Sequence, residues 1–330
     1  MPRELHALFT PPASLTVPAP GHLVPMLIAR EGEQVGWRYV ECFAANIRNA
    51  NTRRAYARAC GRFLAWCEQR GLTLATIRPF DVGAYLEALT QEASPPSVKQ
   101  QLAAIRMLFD WMVVGQVMPM NPASAVRGPK HVVKTGITPV LDGAEWRTLL
   151  DSIPKETLRD MRDRALIATL TYSFARIGAA LAMKVEDLRP KGAGWQIQLH
   201  EKGGKQHTIP CHHQLAEALH LYMEAAGLAE DTKGMLFRTS RGHAANTLAS
   251  QPMQQVDAWR MIRRRAAAAG IMTPIGCHSF RATGITAYLA NGGALEHAQI
   301  MAAHESPRTT KLYDRTTERL TQDEVERIRL

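Results

Sequence analysis

The chain has 330 residues, with 40 Lys and Arg against 30 Asp and Glu, a net charge of +10 and a pI near 9.6. That length suggests about two domains with substantial cores, and the positive excess favours a polyanionic partner. No apolar run approaches the ~20 residues needed to span a bilayer, and the opening Met-Pro-Arg-Glu-Leu-His lacks the apolar core of a signal peptide, so a cytoplasmic protein without membrane attachment is expected.

The charge is shared by both halves: residues 1–140 carry 15 basic and 9 acidic side chains, and residues 141–330 carry 25 and 21. Nucleic acid is the simplest partner for a surface of that kind. Five cysteines, odd in number and without a Cys-x-x-Cys spacing, predict free thiols rather than disulfides. The one adjacent histidine pair, His212-His213, cannot share a helix or strand face, so no metal is expected.

Residues 1–30 hold six prolines and little periodicity, which predicts a loosely ordered arm. Helical patterns begin at about Gly32. The clearest runs from Asn51 or Thr52 as cap to Gly71 as stop, with Tyr56, Cys60, Phe63, Leu64 and Cys67 on one face. Arg54, Arg58 and Arg62 fall opposite with no acid among them, a face suited to phosphates as well as to solvent. Two further helices are predicted, one after Pro79 and one after Ser94-Pro95, giving a helical domain over about 31–125. A basic, irregular linker follows over 126–140.

A second domain, 141–330, opens at Asp142, an N-cap with Glu145 three residues on. Leu158–Tyr172 reads as a long apolar helix and Arg176–Met183 as a short one. Trp195, Ile197 and Leu199 alternate with polar residues; Lys202-Gly-Gly-Lys205 then supplies a turn and Gln206–Pro210 a returning strand. The remainder reads as helical through Gln214–Ala226, Val256–Ala269, His278–Ala290 and Ala294–Ala303. Ser306-Pro307 predicts a last cap and helix start, placing Tyr313 about two turns into a helix, nine residues after His304. Within Val256–Ala269, Arg260, Arg263 and Arg264 share a face. Leu320–Val325 fits a capping box with its staple, predicting a short docking helix over 320–330.

Four boxes in order carry a family resemblance: Arg176-Ile-Gly-x-x-Leu, the basic turn at Lys202, His278-x-x-Arg281, and His304 followed by Tyr313. From about residue 35 to 330 the chain resembles the tyrosine recombinases, the phage-integrase family of site-specific DNA recombinases. The resemblance implies a mainly α fold with a small antiparallel β-sheet. A helical SAM-like core-binding domain would precede a catalytic domain of the DNA-breaking–rejoining fold, the two closing as a C-shaped clamp on duplex DNA. It also implies strand cleavage and rejoining through a 3′-phosphotyrosine link, without ATP or any cofactor.

By the same resemblance Tyr313 is the nucleophile, Arg176 and Arg281 clamp the phosphate, His304 donates to a nonbridging oxygen, and His278 assists proton transfer at the phenol. These residue types suit the task. Fixed cations and donors must offset the charge of a phosphorane, and guanidinium forks match pairs of phosphate oxygens. Two lysines stand in the turn. The family's Gly-Lys-Gly-x-Lys pattern maps onto Glu201-Lys-Gly-Gly-Lys and selects Lys202 as the proton donor to the leaving oxygen, leaving Lys205 as a DNA contact.

The α-helix carrying Arg260, Arg263 and Arg264 resembles the one that enters the major groove. The partners implied are double-stranded DNA with inverted-repeat core sites, further copies of the chain in a homotetramer assembled from free monomers, and DNA-bending accessory proteins, in the bacterial cytoplasm. A DNA binder that has lost catalysis and an enzyme of the type IB topoisomerase class are the alternatives. Three departures stand out: Ala179 occupies a position where many relatives have an acid, Ala303 replaces a glycine usual before His304, and Phe280 replaces a common leucine, the last two away from the chemistry.

Overall fold

The computed structural model describes residues 24–131, 136–201, 204–241 and 246–315. The chain divides into two compact units, Met1–Val132 and Val133–Leu330. In the first, a short α1 (Met26–Ala29) precedes α2 (Glu33–Asn46), α3 (Ala50–Glu68), α4 (Pro79–Thr90) and α5 (Pro95–Val114). Asn49, rather than Asn51 or Thr52, caps α3, its Oδ1 accepting from the Asn51 and Thr52 backbone N–H groups at 3.0 and 3.1 Å. The apolar face read from sequence is the core: Cys60, Phe63, Leu64 and Cys67 are buried with Val98, Leu102, Ile105 and Phe109 of α5. Each such Leu, Ile or Phe contributes about 1.5–3 kcal/mol by leaving water. Residues 24–30, read as the end of the arm, add Leu27 and Ile28 to this core.

In the second unit Asp142 and Glu145 form the expected capping box on α6 (Gly143–Asp151). Next come α7 (Leu158–Tyr172), α8 (Ile177–Leu181), and strands β1 (Leu188–Lys191), β2 (Gly194–His200) and β3 (Gln206–Pro210). These strands form an antiparallel sheet in the order β1-β2-β3. Its alternation follows the sequence, with Ile197, Leu199 and Ile209 turned into the core. After α9 (His213–Ala225) the structure departs from expectation. Arg238–Arg241 (β4) and Thr247–Pro252 (β5) pair as a second antiparallel sheet, with a register shift between Arg238 and Ser240. Neither segment alternates apolar with polar residues, so neither carries the period-2 signature of a strand. The remaining helices are α10 (Gln255–Ala268), α11 (Cys277–Ala290), α12 (Leu295–Met301) and α13 (Pro307–Lys311).

The second core is built on α7, buried along nearly its whole length, with α9 and α11 packed against it. Its crossing with α11 is so close that a Cβ at Gly284 would collide with the Thr171 carbonyl oxygen. Asp163 on α7 is fully buried and takes ion pairs from Arg162, Arg264 and Arg265, which ties α10 to α7. No described helix is long and apolar enough to cross a membrane. All five cysteines are free thiols, and Cys42, Cys60 and Cys67 are buried. The proposed docking helix lies outside the described residues.

Candidate active site

Four helix ends deliver the reactive groups. Arg176 is the N-cap residue of α8, His278 and Arg281 lie in the first turns of α11, His304 follows the end of α12, and Tyr313 follows α13. The placement of Tyr313 corrects the sequence expectation, because the last helix stops at Lys311 and the tyrosine sits in the turn beyond it. Carbonyls that would continue the helix are diverted. Leu312 O accepts from Gly136 N at 2.9 Å, and Tyr313 O accepts from Thr286 Oγ1 at 2.9 Å.

Arg281 is 1 % exposed and binds the loops together: Nη1 donates to Phe174 O and Nη2 to Ala302 O at 2.5 Å. A guanidinium carries five N–H donors, and Arg281 also hydrogen-bonds the Tyr313 side chain. Its Nε is buried with no partner among the described residues. One bonded carbonyl belongs to a left-handed residue, Phe174 (φ 54°), and the other precedes one, Ala303 (φ 46°), and these turn the chain toward Arg176 and His304. At Ala303 the motif is a helix C-terminal αL turn: His304 N donates to Gln299 O at 3.1 Å and Ala303 N to Ile300 O at 2.9 Å. A glycine adopts that φ without strain, so Ala303→Gly should raise stability by about 0.5–1 kcal/mol, read as a higher denaturant midpoint at unchanged slope. A lower midpoint would refute the account of strain.

His278 Nε2 lies 2.8 Å from Tyr313 Oη. The Tyr313 ring stacks on that of His304, centroids 5.7 Å apart and planes 11° apart, and His304 Nδ1 is 2.9 Å from Thr310 Oγ1. A Thr310 hydroxyl donating to Nδ1 leaves the proton on Nε2, the tautomer that a phosphate donor requires. Arg176 Nη1 reaches Glu201 Oε2 at 2.5 Å. Five of the six catalytic candidates thus form one cluster. The sixth, Lys202, lies outside the described residues.

The cluster is cationic and poorly solvated. Burial, then Arg281 and Arg176, push the His278 pKa below its ordinary value. Burial first, then Arg281, Arg176 and His278, push His304 down to about 3. Burial, followed by Arg176, lowers Arg281 to about 10, against the opposing pull of Tyr313 and Glu201. Both imidazoles are therefore neutral at pH 7, in a setting that an anion would relieve.

The folded His304 value lies below the unfolded one, so the unfolded state binds protons first. Its contribution to stability is complete above pH ~6.5 and is lost as the pH falls toward about 3. Between pH 7 and 5 the loss is about 2 kcal/mol. His304→Asn should flatten the acid limb of the stability–pH curve by roughly that amount. An unchanged limb would mean that His304 already carries its proton in the fold.

The candidate DNA contacts are dispersed. Arg54 donates to Asn51 Oδ1 at 2.5 Å, Arg58 is exposed, and Arg62 pairs with Glu92 in the turn after α4 at 2.5 Å, an acid that the single-helix reading passed over. Lys205 pairs with Glu305 at 2.8 Å, spanning from the β-hairpin to the residue after His304. Arg260 pairs with Asp257, Arg263 is exposed, and Arg264 turns back to Asp163 at 3.2 Å. Sequence reasoning passed over Glu201, Thr310 and Gly136 as site residues. The one available signal was Glu201 itself, an acid in a turn where the resembled pattern has glycine.

The phage integrase family model matches residues 139–319, more than half of the chain, and the model of the phage integrase N-terminal SAM-like domain matches residues 42–114. The tyrosine recombinase XerD of Chlorobaculum tepidum is 28 % identical over 272 residues, covering 80 % of this chain and 86 % of that protein. Among solved structures, the pre-cleavage complex of the XerH site-specific recombinase bound to its difH substrate superposes with a TM-score of 0.63 at 18 % identity, over 90 % of this chain and 84 % of that one. A lambda integrase tetramer bound to a Holliday junction gives 0.61 at 18 % identity, over 84 % and 75 %. These likenesses fit the mainly helical fold with its small antiparallel sheets.

Proposed function

This chain belongs to the phage integrase family, and on that premise we propose how its own residues carry out strand transfer. The protein is a tyrosine-type site-specific DNA recombinase, a DNA strand transferase. The observation that carries the residue roles is the 2.8 Å approach of the Tyr313 hydroxyl to a neutral His278, with Arg281 and Arg176 close enough to depress that imidazole.

Tyr313 Oη attacks the phosphorus as His278 Nε2 takes the phenolic proton. Arg176, the remaining Nη donors of Arg281 and the Nε2–H of His304 stabilise the charge developing on the nonbridging oxygens. The P–O5′ bond breaks, Lys202 protonates the departing 5′-oxygen, and a 3′-phosphotyrosine link remains. Its energy is close to that of the bond it replaces, so a second 5′-hydroxyl reverses the step and no ATP is consumed.

The partner is duplex DNA with inverted-repeat core sites, held by the helical domain (31–125) and the catalytic domain (141–330) joined by linker 126–140. Arg54, Arg58, Arg62, Lys205, Arg260, Arg263 and Arg264 contribute the contacts. Arg263 and Arg58, exposed, are readier for phosphate than Arg264, which must first leave Asp163. Four copies exchange strands, as the tetrameric state of the lambda integrase complex suggests. The test is a nicked duplex whose short fragment diffuses away on cleavage, trapping the protein on DNA. Protease digestion should leave the nucleotide on the peptide containing Tyr313, and attachment to any other residue would overturn the assignment.

A further inference from the structure

Resting on that reading, we propose that Glu201 is the positioning residue for Arg176, holding its guanidinium from beneath in the orientation that meets the scissile phosphate. Glu201 follows the last residue of β2, and its backbone N–H donates to Lys205 O at 2.7 Å, which fixes the root of the hairpin. Its side chain is 3 % exposed, whereas that of Arg176 is 40 % exposed. A carboxylate so deeply buried needs a cationic partner, and its Oε2 has one in Arg176 Nη1 at 2.5 Å. Its Oε1 is buried with no hydrogen-bond partner among the described residues, so Arg176 is the cation it hydrogen-bonds, while Arg281 feels its charge without a bond to it.

The asymmetry in exposure decides what the pair does. A carboxylate plugging the phosphate site would lie on the open side of the guanidinium. Glu201 lies on the closed side and engages one of five N–H donors, leaving the others available outward. An arginine at a helix N-cap with no such anchor would sample several rotamers, and each misalignment of a transition-state donor is costly. Ala179, three residues after Arg176 and buried, has no carboxylate to offer from the helix side. The hairpin supplies it instead, from the residue directly before Lys202.

Because Glu201 adjoins both Arg176 and Lys202, the experiment separates the two. The full-length Glu201→Gln variant, in single-turnover cleavage of the nicked duplex, should form adduct roughly ten- to a hundredfold more slowly, with affinity for the intact duplex within about twofold of wild type. A 5′-bridging phosphorothiolate, whose sulfur leaves without a proton, should not restore the rate. Ala179→Glu combined with Glu201→Gly should restore it to within about fivefold, since a side chain at N3 reaches back to the N-cap residue and the carboxylate is returned to the same arginine. Wild-type cleavage by Glu201→Gln would overturn the proposal, as would rescue by the phosphorothiolate, which would assign Glu201 to Lys202. Failure of wild type itself to form adduct would remove the underlying reading; normal wild type with normal Glu201→Gln removes only the inference.

Discussion

Tyr313→Phe should form no covalent adduct on a nicked duplex, a loss on the order of 10⁴-fold or more by comparison with nucleophile removal in other covalent enzymes. The substitution is sparing. The phenyl ring keeps its stack on His304, and the Thr286 hydroxyl still donates to the residue-313 carbonyl oxygen. The hydroxyl's contacts with His278 and with the Arg281 guanidinium are lost, so stability should change by about 0.5–1.5 kcal/mol, and affinity for intact DNA should be unchanged. Adduct formation at the wild-type rate would mean that another residue attacks the phosphorus.

Much of this site was legible because the chemistry restricts residue type. Two guanidiniums, two imidazoles and a phenol in order along a basic chain are difficult to arrive at without the function, and the structure draws Arg176, His278, Arg281, His304 and Tyr313 together. Helices with strong caps were equally legible: Leu158–Tyr172 has the bounds read from its pattern, and Asp142 caps where its spacing with Glu145 indicated.

What was hidden depends on contacts distant in sequence. Glu201 meets Arg176 across 25 positions, and Phe174 O meets Arg281 across 107. The β4–β5 pair lacks alternation because its strands are mostly half-buried or exposed on both faces, so burial imposes no period on them. The helix before Tyr313 was overextended because Ser306-Pro307 announces a start and nothing local announces a stop. The stop comes from Gly136 and Thr286, which take the carbonyls of Leu312 and Tyr313. Ala303, noted as a departure from glycine, proves to be a conformational matter at the turn that aims His304.

Gly136 is therefore expected to matter as much as some groups that touch the phosphate. Read from sequence, it is an unremarkable residue of a basic linker. In the fold its N–H donates to Leu312 O, and a Cβ there would collide with that oxygen. The obstacle is backbone, so relief requires moving the Gly136 segment or the Tyr313 turn. Arg315 reinforces the contact from the other side, its Nη2 donating to Gly136 O at 3.3 Å and to Thr138 O. Displacing a nucleophile by about 1 Å costs about 10²-fold in rate. Gly136→Ala should accordingly reduce adduct formation by about that factor while leaving DNA affinity unchanged, and it should lengthen the His278–Tyr313 contact. Arg315→Ala, which removes one strap without adding a clash, should lose less. Folding is checked by thermal unfolding, where Gly136→Ala should remain a single cooperative transition. A well-folded Gly136→Ala protein that cleaves at the wild-type rate would show that this segment does not position the tyrosine.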